Sequence, residues 1–366
     1  MDTIQFGKTS YRVSRLGFGA MRLPTLPDGK VDFELSTAML RFAIDHGVNF
    51  IDSHHFYHNG QSEEAIGKAI KGIPRESIIL QTKIGMYKNY RERNCWKLLE
   101  QALKKLGTDY LDFYFTHSLS MKSYLKYNRL FLRFTDRAIS RGLVRYRGFS
   151  VHDKPENIKK FIMSGEFSAM LLQYNILDRS NEEVIALAHE RGLGVEVMGP
   201  VAGGMLGLPD ESILNYSPVK ARSTAELALR FVLGNPNVHV AFSGMSTLQQ
   251  VKENVETASG TDRLSAEDIG KLDAVFEKRK KLLDLYCTGC GYCLPCPNKV
   301  NIPRIFRLYN LSGVYGLTER AKKDYLAMNP EEKVSSCVEC GECEKKCPQK
   351  ISIREKLKQA RAHFEE

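Results

Sequence analysis

Residues 49–83 read NFIDSHHFYHNGQSEEAIGKAIKGIPRESIILQTK: an apolar run, Asn49–Ser53, then an amphipathic stretch, Glu63–Ile70, then a second apolar run, Ile78–Lys83. Short apolar runs suit strands buried on both faces, and a helical stretch between two of them is the crossover that parallel strands require. The alternation continues in both directions. Strand candidates are Leu16–Met21, Asn49–Ser53, Ile78–Lys83, Leu111–His117, Tyr146–Ser150, Met170–Tyr174, Gly194–Met198 and Val238–Ser243. Helical stretches lie between them at Phe33–His46, Glu63–Ile70, Trp96–Leu106, Glu156–Met163, Asn181–Arg191 and Thr224–Leu233. Ser62 and Ser180 stand where N-caps are wanted. Eight βα units predict an α/β fold, the (β/α)8 TIM barrel. The opening Ile4–Ser14, with its Gly7-Lys8 turn, reads as a hairpin over one barrel end.

A chain of 366 residues with 43 % apolar content can bury a large core and suits two domains. We expect the barrel over residues 1–285, its last helix running from Ala266 to Leu285, and a small α-helical domain over 286–366. Residues 1–20 carry charges, and no stretch approaches ~18 uninterrupted apolar residues, so neither export nor membrane insertion is expected and the protein reads as cytoplasmic. The formal charge of +10 includes two dense runs, Lys278–Lys281 and Lys345–Lys346. Both read first as solvated surface and second as a docking face for an acidic electron carrier. No nucleic-acid motif is present.

Catalytic groups of such barrels sit at the C-terminal ends of the strands. Those ends carry Asp52, Lys83 and His117, with Tyr57 in the loop after Asp52. The segments Asn49-Phe-Ile-Asp52-Ser-x3-Tyr57, Ser62-Glu63-Glu64-x2-Gly67, Thr82-Lys83 and Asp112-Phe-Tyr-Phe-Thr-His117 resemble, in order, the aldo-keto reductase family. The resemblance covers about residues 1–285. It implies hydride transfer between NAD or NADP and a small carbonyl or alcohol substrate. An alkoxide forming in that transfer needs a proton, and tyrosine, with an ordinary pKa near ~10, needs a neighbouring ammonium to give one up easily. The family arrangement makes Tyr57 the acid or base, Lys83 its cation, Asp52 the partner that holds Lys83, and His117 a hydrogen-bonding group for the substrate oxygen. Neighbouring His54, His55 and His58 are assigned pocket or structural roles. The loops expected to set the substrate are Arg22–Lys30, His54–Gly60, Met86–Asn94 and Ser118–Asn128.

The same resemblance implies the cofactor contacts. Ser150 and Gln173 match the groups that bond the carboxamide, and Met198 takes the place where an aromatic ring often stacks on the nicotinamide. Ser243, Gly244, Ser246, Gln250 and Asn254 match the adenosine-phosphate and adenine site. Val151 stands where an Asn is usual, and Ser246 where an Arg often meets the 2′-phosphate, which leaves NAD and NADP both open.

Eight of the nine cysteines fall in Cys287-x2-Cys290-x2-Cys293-x2-Cys296-Pro297 and Cys337-x2-Cys340-x2-Cys343-x3-Cys347-Pro348. Such runs are the ligand pattern of two [4Fe–4S] clusters, the alternatives being zinc sites or disulfides. They resemble the bacterial two-cluster ferredoxins. That resemblance implies crossed ligation, with cluster I on Cys287, Cys290, Cys293 and Cys347, and cluster II on Cys337, Cys340, Cys343 and Cys296. The first run has one residue fewer than the ferredoxin pattern before its last cysteine. Cys95, the ninth, reads as a packing residue.

Hydride transfer moves two electrons and a [4Fe–4S] cluster moves one, so the two halves do not couple directly. Three readings follow: a nicotinamide-dependent reductase whose clusters are structural or sensing; an electron-transfer oxidoreductase served by an acidic carrier, with a flavin for which the sequence offers no support; and a non-enzymatic redox sensor.

Overall fold

Eight strands, all paired in parallel, close into one barrel. The computed structural model describes residues 1–85, 91–207, 214, 217, 220–260, 262, 264–280, 285, 287–313 and 318–365. The barrel strands are β3 (Leu16–Gly19), β4 (Phe50–Asp52), β5 (Ile79–Gly85), β6 (Leu111–Leu119), β7 (Val144–Val151), β8 (Ala169–Gln173), β9 (Gly194–Met198) and β10 (Val240–Ser243), with β10 returning to β3. Each expected strand is present, shifted at its ends by a few residues. Around them run α1 (Phe33–Asp45), α2 (Gln61–Ile70), α3 (Glu92–Leu106), α4 (Met121–Ser140), α5 (Pro155–Met163), α6 (Glu182–Arg191), α7 (Thr224–Gly234) and α8 (Leu248–Ser259). Helical spacing explains the seating of α3, whose Cys95, Leu99, Ala102 and Leu106 form one buried stripe. Cys95 is thus a core residue.

The N-terminal hairpin pairs β1 (Thr3–Gln5) with β2 (Arg12–Ser14), antiparallel. Between them Phe6 enters the barrel interior, fully buried, and meets Phe50 and Phe113 edge-on at 5.5 and 5.3 Å. Burying a ring of this size is worth roughly 1.5–3 kcal/mol. Glycines make the space: a Cβ at Gly194 would lie 2.3 Å from the Phe6 ring, and one at Gly148 2.2 Å from Phe115. This aromatic layer fills the end of the barrel opposite the strand termini that carry Asp52, Lys83 and His117.

Four expectations need correction. Ser62 is not an N-cap; α2 starts two residues before the expected Glu63, at Gln61 after Gly60 in the left-handed region, and Ser62 is buried against Ser53. Ser180 does not cap α6 either, because its hydroxyl is taken by Asp178 at 2.7 Å. Most of Ser118–Asn128 is not a loop but the end of β6 and the start of α4, nucleated by a reciprocal Ser120–Ser123 capping box. Tyr124 accordingly bonds Glu166, at 2.7 Å. The expected helix Ala266–Leu285 is α9, Ala266–Lys280; Lys281 and residues 86–90, the start of the expected Met86–Asn94 loop, lie outside the described residues, as do the side chains of 274–280.

Contacts divide the chain into Met1–Pro200 with Glu226–Arg263, and Val201–Ala225 with Leu264–Glu366. The second unit contains α9, α10 (Ile302–Gly313), α11 (Thr318–Leu326), α12 (Glu342–Lys346) and α13 (Ile353–Phe364). Its core joins Ile302, Ile305, Phe306, Tyr325, Leu357 and Phe364. Cys287, Cys293, Cys296, Cys337, Cys343 and Cys347 pack against that core, half-buried. No disulfide joins any of the nine cysteines. Within the unit, Gly203 closes on the Thr288 backbone, where a Cβ would stand 2.4 Å from the carbonyl oxygen, and Asn310 Nδ2 donates to the Leu285 carbonyl at 3.0 Å.

Candidate active site and iron-sulfur region

The two-residue period of β5 turns Gln81 and Lys83 to the barrel interior and Thr82 outward. Lys83 and Asp52 are almost wholly buried and form an ion pair, and Lys83 Nζ also donates to the Ser53 carbonyl at 2.9 Å. Burial pushes the Asp52 carboxyl up, with Lys83 and then Gln81 pulling it back. Tyr57 lies in the β4–α2 connection with its ring centroid 5.3 Å from Lys83 Nζ. That connection contains three successive left-handed residues, His58, Asn59 and Gly60, and its supports explain the Ser62-Glu63-x3-Gly67 spelling. Glu63, buried on α2, accepts from Thr82 Oγ1 at 2.8 Å, Ser62 reaches Ser53, and Gly67 admits α3, since a Cβ there would lie 2.3 Å from the Lys105 carbonyl oxygen. These residues hold the Tyr57 loop onto β4 and β5.

His117 ends the inward run of β6. Its Nδ1 is 3.3 Å from Ser150 Oγ, which accepts from the Ser118 backbone at 2.9 Å. Burial first, then Lys83, holds the His117 imidazole well below the usual range, so it is neutral. The His54 ring lies tilted beside it, centroids 4.2 Å apart, and 5.3 Å from the Tyr57 ring. Its Nδ1 accepts from Phe56 N at 3.2 Å, and His55 Nδ1 meets the Lys83 carbonyl at 3.1 Å.

The expected cofactor residues form the adjoining arc, β7 to β10. Ser150 and Gln173 are buried at the ends of β7 and β8, and Gln173 is in register with Met198 on β9. Gly199, at φ 66°, leaves space for the Gln173 amide, which a Cβ would approach to 2.5 Å. Ser243 Oγ accepts from Asn254 Nδ2 at 3.0 Å. Gly244 and Ser246 lie exposed ahead of α8, where Gln250 Oε1 accepts from Ser246 N at 2.8 Å and Thr247 caps the helix. The sequence reading put Arg22 in a substrate loop and missed its place here: its side chain covers Gly244 and its carbonyl accepts from Ser246 Oγ at 2.8 Å.

Two further polar groups were missed. Gln81 and Glu196, buried on β5 and β9, extend the Asp52–Lys83 pair across the barrel. The signal was available: Gln81 stands two residues before Lys83, hence on the same face, and Glu196 is a lone acid inside an otherwise apolar buried strand.

In the second unit, one cavity is lined by Cys296, Cys337, Cys340 and Cys343, together with Cys293, Val338, Ile302 and Leu357. The Cys293 thiol is pushed up to about 12 by burial, then by the charges of Cys287, Cys290 and Cys347 around it. Among the described residues no three His, Cys, Asp or Glu side chains close to the spacing of a single ion; a four-iron cubane calls for a wider cradle.

Residues 15–277 match the model of the Aldo/keto reductase family. The chain belongs to that family. As a member it is an oxidoreductase of the nicotinamide-dependent class, and residues 286–352 match a 4Fe-4S dicluster domain, which makes the chain an aldo/keto reductase with an appended iron-sulfur domain. Among characterised relatives, the NADH-specific methylglyoxal reductase of Escherichia coli (strain K12) is 26 % identical over 303 residues, 70 % of this chain and 93 % of that one. The solved aldo-keto reductase AKR11C1 from Bacillus halodurans, in its holo form, is 29 % identical with a TM-score of 0.65, covering 75 % of this chain and 96 % of its own. A Klebsiella pneumoniae aldo/keto reductase solved with NADP and acetate shares the fold, at 23 % identity and TM-score 0.64, over 75 % of this chain and 95 % of its own. No helix among the described residues is long and apolar enough to cross a membrane.

Proposed function

We propose that this reductase exchanges hydride between NAD(P)H and a small carbonyl or alcohol, with Tyr57 as the acid in reduction and the base in oxidation. The observation that carries the reading is the seating of Tyr57 against Lys83, whose ammonium is held in the barrel by Asp52. An ammonium beside a phenol favours the phenolate and so eases proton donation. His117 assists as a neutral donor: Ser150 Oγ accepts from Ser118 N, which leaves its own hydrogen for His117 Nδ1 and puts the ring proton on Nε2, the atom that would donate to a substrate oxygen. Nicotinamide, when bound, supplies the hydride. The arc from β7 to β10 suits it: Ser150 and Gln173 offer a carboxamide its partners, Met198 offers the ring a polarizable surface, and Ser243, Gly244, Ser246, Gln250 and Asn254 surround the start of α8, where a phosphate would gain from the helix terminus. The relative named as a methylglyoxal reductase supports a small oxo compound as substrate.

In the C-terminal unit we assign cluster I to Cys287, Cys290, Cys293 and Cys347, and cluster II to Cys296, Cys337, Cys340 and Cys343. The cavity lined by the second set supports the crossing of Cys296, and the charges felt by Cys293 support the first set. Each cluster would supply a one-electron step, which the hydride chemistry does not use, so we give them a structural or sensing role. Among the described residues of this unit, Lys345 pairs with Glu342, Lys299 with Glu331 and Lys358 with Glu339, so these cations are partly neutralised as a docking face for an acidic carrier.

The test is anaerobic mixing of cluster-loaded protein with NADH or NADPH and a panel of small carbonyls. We expect nucleotide oxidation that needs the carbonyl and spares the clusters. Reduction of the clusters by nucleotide alone would overturn this reading in favour of electron transfer, and no turnover with any carbonyl would favour a sensor.

A further inference from the structure

Glu196 has no part in the chemistry above, yet it is fully buried at the centre of the barrel. Gln81 joins it to the catalytic pair: Gln81 Nε2 donates to Glu196 Oε2 at 2.7 Å and to Asp52 Oδ1 at 3.0 Å, and Asp52 in turn holds Lys83. The link therefore runs Glu196, Gln81, Asp52, Lys83, from β9 through β5 to β4 and back to β5.

Charge counting favours an uncharged Glu196, because the one ammonium at hand is already held by Asp52. The ionisable groups that act on it are Asp52 and Lys83. Were both carboxyls ionised, two negative charges would share one ammonium away from water, a costly arrangement. Burial and the Asp52 charge together push the Glu196 carboxyl well above the usual range. Hydrogen bonding agrees. Glu196 Oε1 and Gln81 Oε1 are both buried without a partner, and a proton on Glu196 turns one surplus acceptor into a donor.

We propose that Glu196 is a positioning residue of the reaction: as an uncharged carboxylic acid it orients the Gln81 amide, which fixes Asp52 and through it the place of the Lys83 ammonium beneath Tyr57. The proposal rests on the roles given to Tyr57 and Lys83, and its experiment includes readouts that need no substrate.

Glu196→Gln keeps the shape, the neutrality and an acceptor for Gln81, whereas Glu196→Leu removes the acceptor. With the best carbonyl substrate, Glu196→Gln should keep kcat within about twofold of wild type, and Glu196→Leu should lose about tenfold or more in kcat, with KM little changed, as expected when a transition-state contact is misplaced. Without substrate, the Tyr57 phenolate titration, read as ultraviolet absorbance against Tyr57→Phe, should move to higher pH in Glu196→Leu and stay in place in Glu196→Gln. In cluster-loaded wild-type protein, infrared difference against Glu196→Gln should contain the carbonyl stretch of a protonated carboxylic acid. Should Glu196→Leu not fold, Gln81→Met cuts the same link from the other side. Absence of the protonated-acid band, an unshifted Tyr57 titration in the variants that cut the link, or equal damage in Glu196→Gln and Glu196→Leu would each overturn the proposal. Failure to find a carbonyl substrate would count against the proposed reaction alone, because the titration and the infrared band are read without it.

Discussion

Lys83 Nζ stands 5.3 Å from the centroid of the Tyr57 ring and is buried with Asp52. The two residues reach this relationship from different kinds of structure. Lys83 is fixed by a barrel strand whose neighbours are set by backbone register, whereas Tyr57 belongs to a connection held by α2. A charge on a barrel strand thus faces a phenol whose loop is pinned by Ser62, Glu63 and Gly67.

Tyr57→Phe removes the proton donor and little else. Carbonyl reduction should fall by about 10²–10⁴-fold, the usual worth of a positioned acid or base, while nucleotide affinity, measured by fluorescence titration, stays near wild type. Undiminished turnover would rule out Tyr57 as the acid.

Lys83→Met has two consequences. It should slow turnover, and it strands the buried Asp52 carboxylate, a loss of roughly 3–5 kcal/mol for a broken buried pair. Thermal denaturation should therefore show a lowered Tm that Lys83→Met/Asp52→Asn largely restores, without restoring activity. A double variant no more stable than Lys83→Met would mean the pair is not what holds this part of the barrel.

Gly199 offers a test of the cofactor arc away from the acid. Its φ of 66° and the 2.5 Å approach to the Gln173 amide leave no room for a methyl group. Gly199→Ala should displace Gln173 and, through a lost hydrogen bond of about 1–1.5 kcal/mol, weaken nicotinamide nucleotide binding by about tenfold in calorimetric titration. Unchanged affinity would remove Gln173 from the cofactor site.

The fold was legible because a buried parallel strand is an apolar run of limited length, and eight such runs with helices between them admit few closures. The site was legible where chemistry and strand ends coincide, at Asp52, Lys83 and His117. Caps were not. Ser62 looks like a cap by composition, but tertiary contact with Ser53 claims its hydroxyl, and a left-handed glycine starts the helix instead. Glu196 and Gln81 escaped for a different reason: each is unremarkable in its own segment, and only closure of the barrel brings β9 opposite β5. The contact of Arg22 with Gly244 was likewise invisible, since nothing local links residue 22 to residue 244.

His239 should make the barrel acid-sensitive. It is buried, with Val195 N donating to Nδ1 at 3.0 Å and Gly7 N approaching Nε2 at 3.3 Å. Burial first, then the charges of His189 and Arg15, lowers its pKa to about 4. The unfolded chain, with a histidine pKa near ~6.5, binds a proton that the folded form refuses, so stability is fully present above ~6.5 and falls as pH drops from there toward about 4. Denaturant unfolding across that window should lose less in His239→Gln than in wild type. Equal slopes would show that His239 carries no part of it.

Crossed ligation predicts how cysteine variants group. Under the assignment above, Cys296→Ala and Cys343→Ala disturb the same cluster, while Cys290→Ala and Cys347→Ala disturb the other. Electron paramagnetic resonance of the reduced proteins should sort the four variants into those two pairs. A spectrum of Cys296→Ala that matches Cys290→Ala instead would mean that each run closes its own cluster. Because half-buried cysteines pack against the Phe306 and Leu357 core, iron removal by a chelator should also lower the Tm of the loaded protein.

Ser246 bears on the choice between NAD and NADP. It is exposed at the start of α8, its backbone N–H donated to Gln250 and its hydroxyl to the Arg22 carbonyl, so its side chain offers no cation to a 2′-phosphate. Ser246→Arg supplies a planar donor pair at the same point, and a charge-assisted hydrogen bond contributes about 1.5–3 kcal/mol. The ratio of kcat/KM for NADPH over NADH should therefore rise by about tenfold to a hundredfold, since each ~1.4 kcal/mol is a factor of ten, with kcat for either nucleotide nearly unchanged because position 246 is remote from Tyr57 in the chemistry. The effect should weaken with added salt, as an exposed ion pair does. A rise for both nucleotides alike would place the new guanidinium on the shared pyrophosphate instead, and no change would place the adenosine end away from α8 altogether.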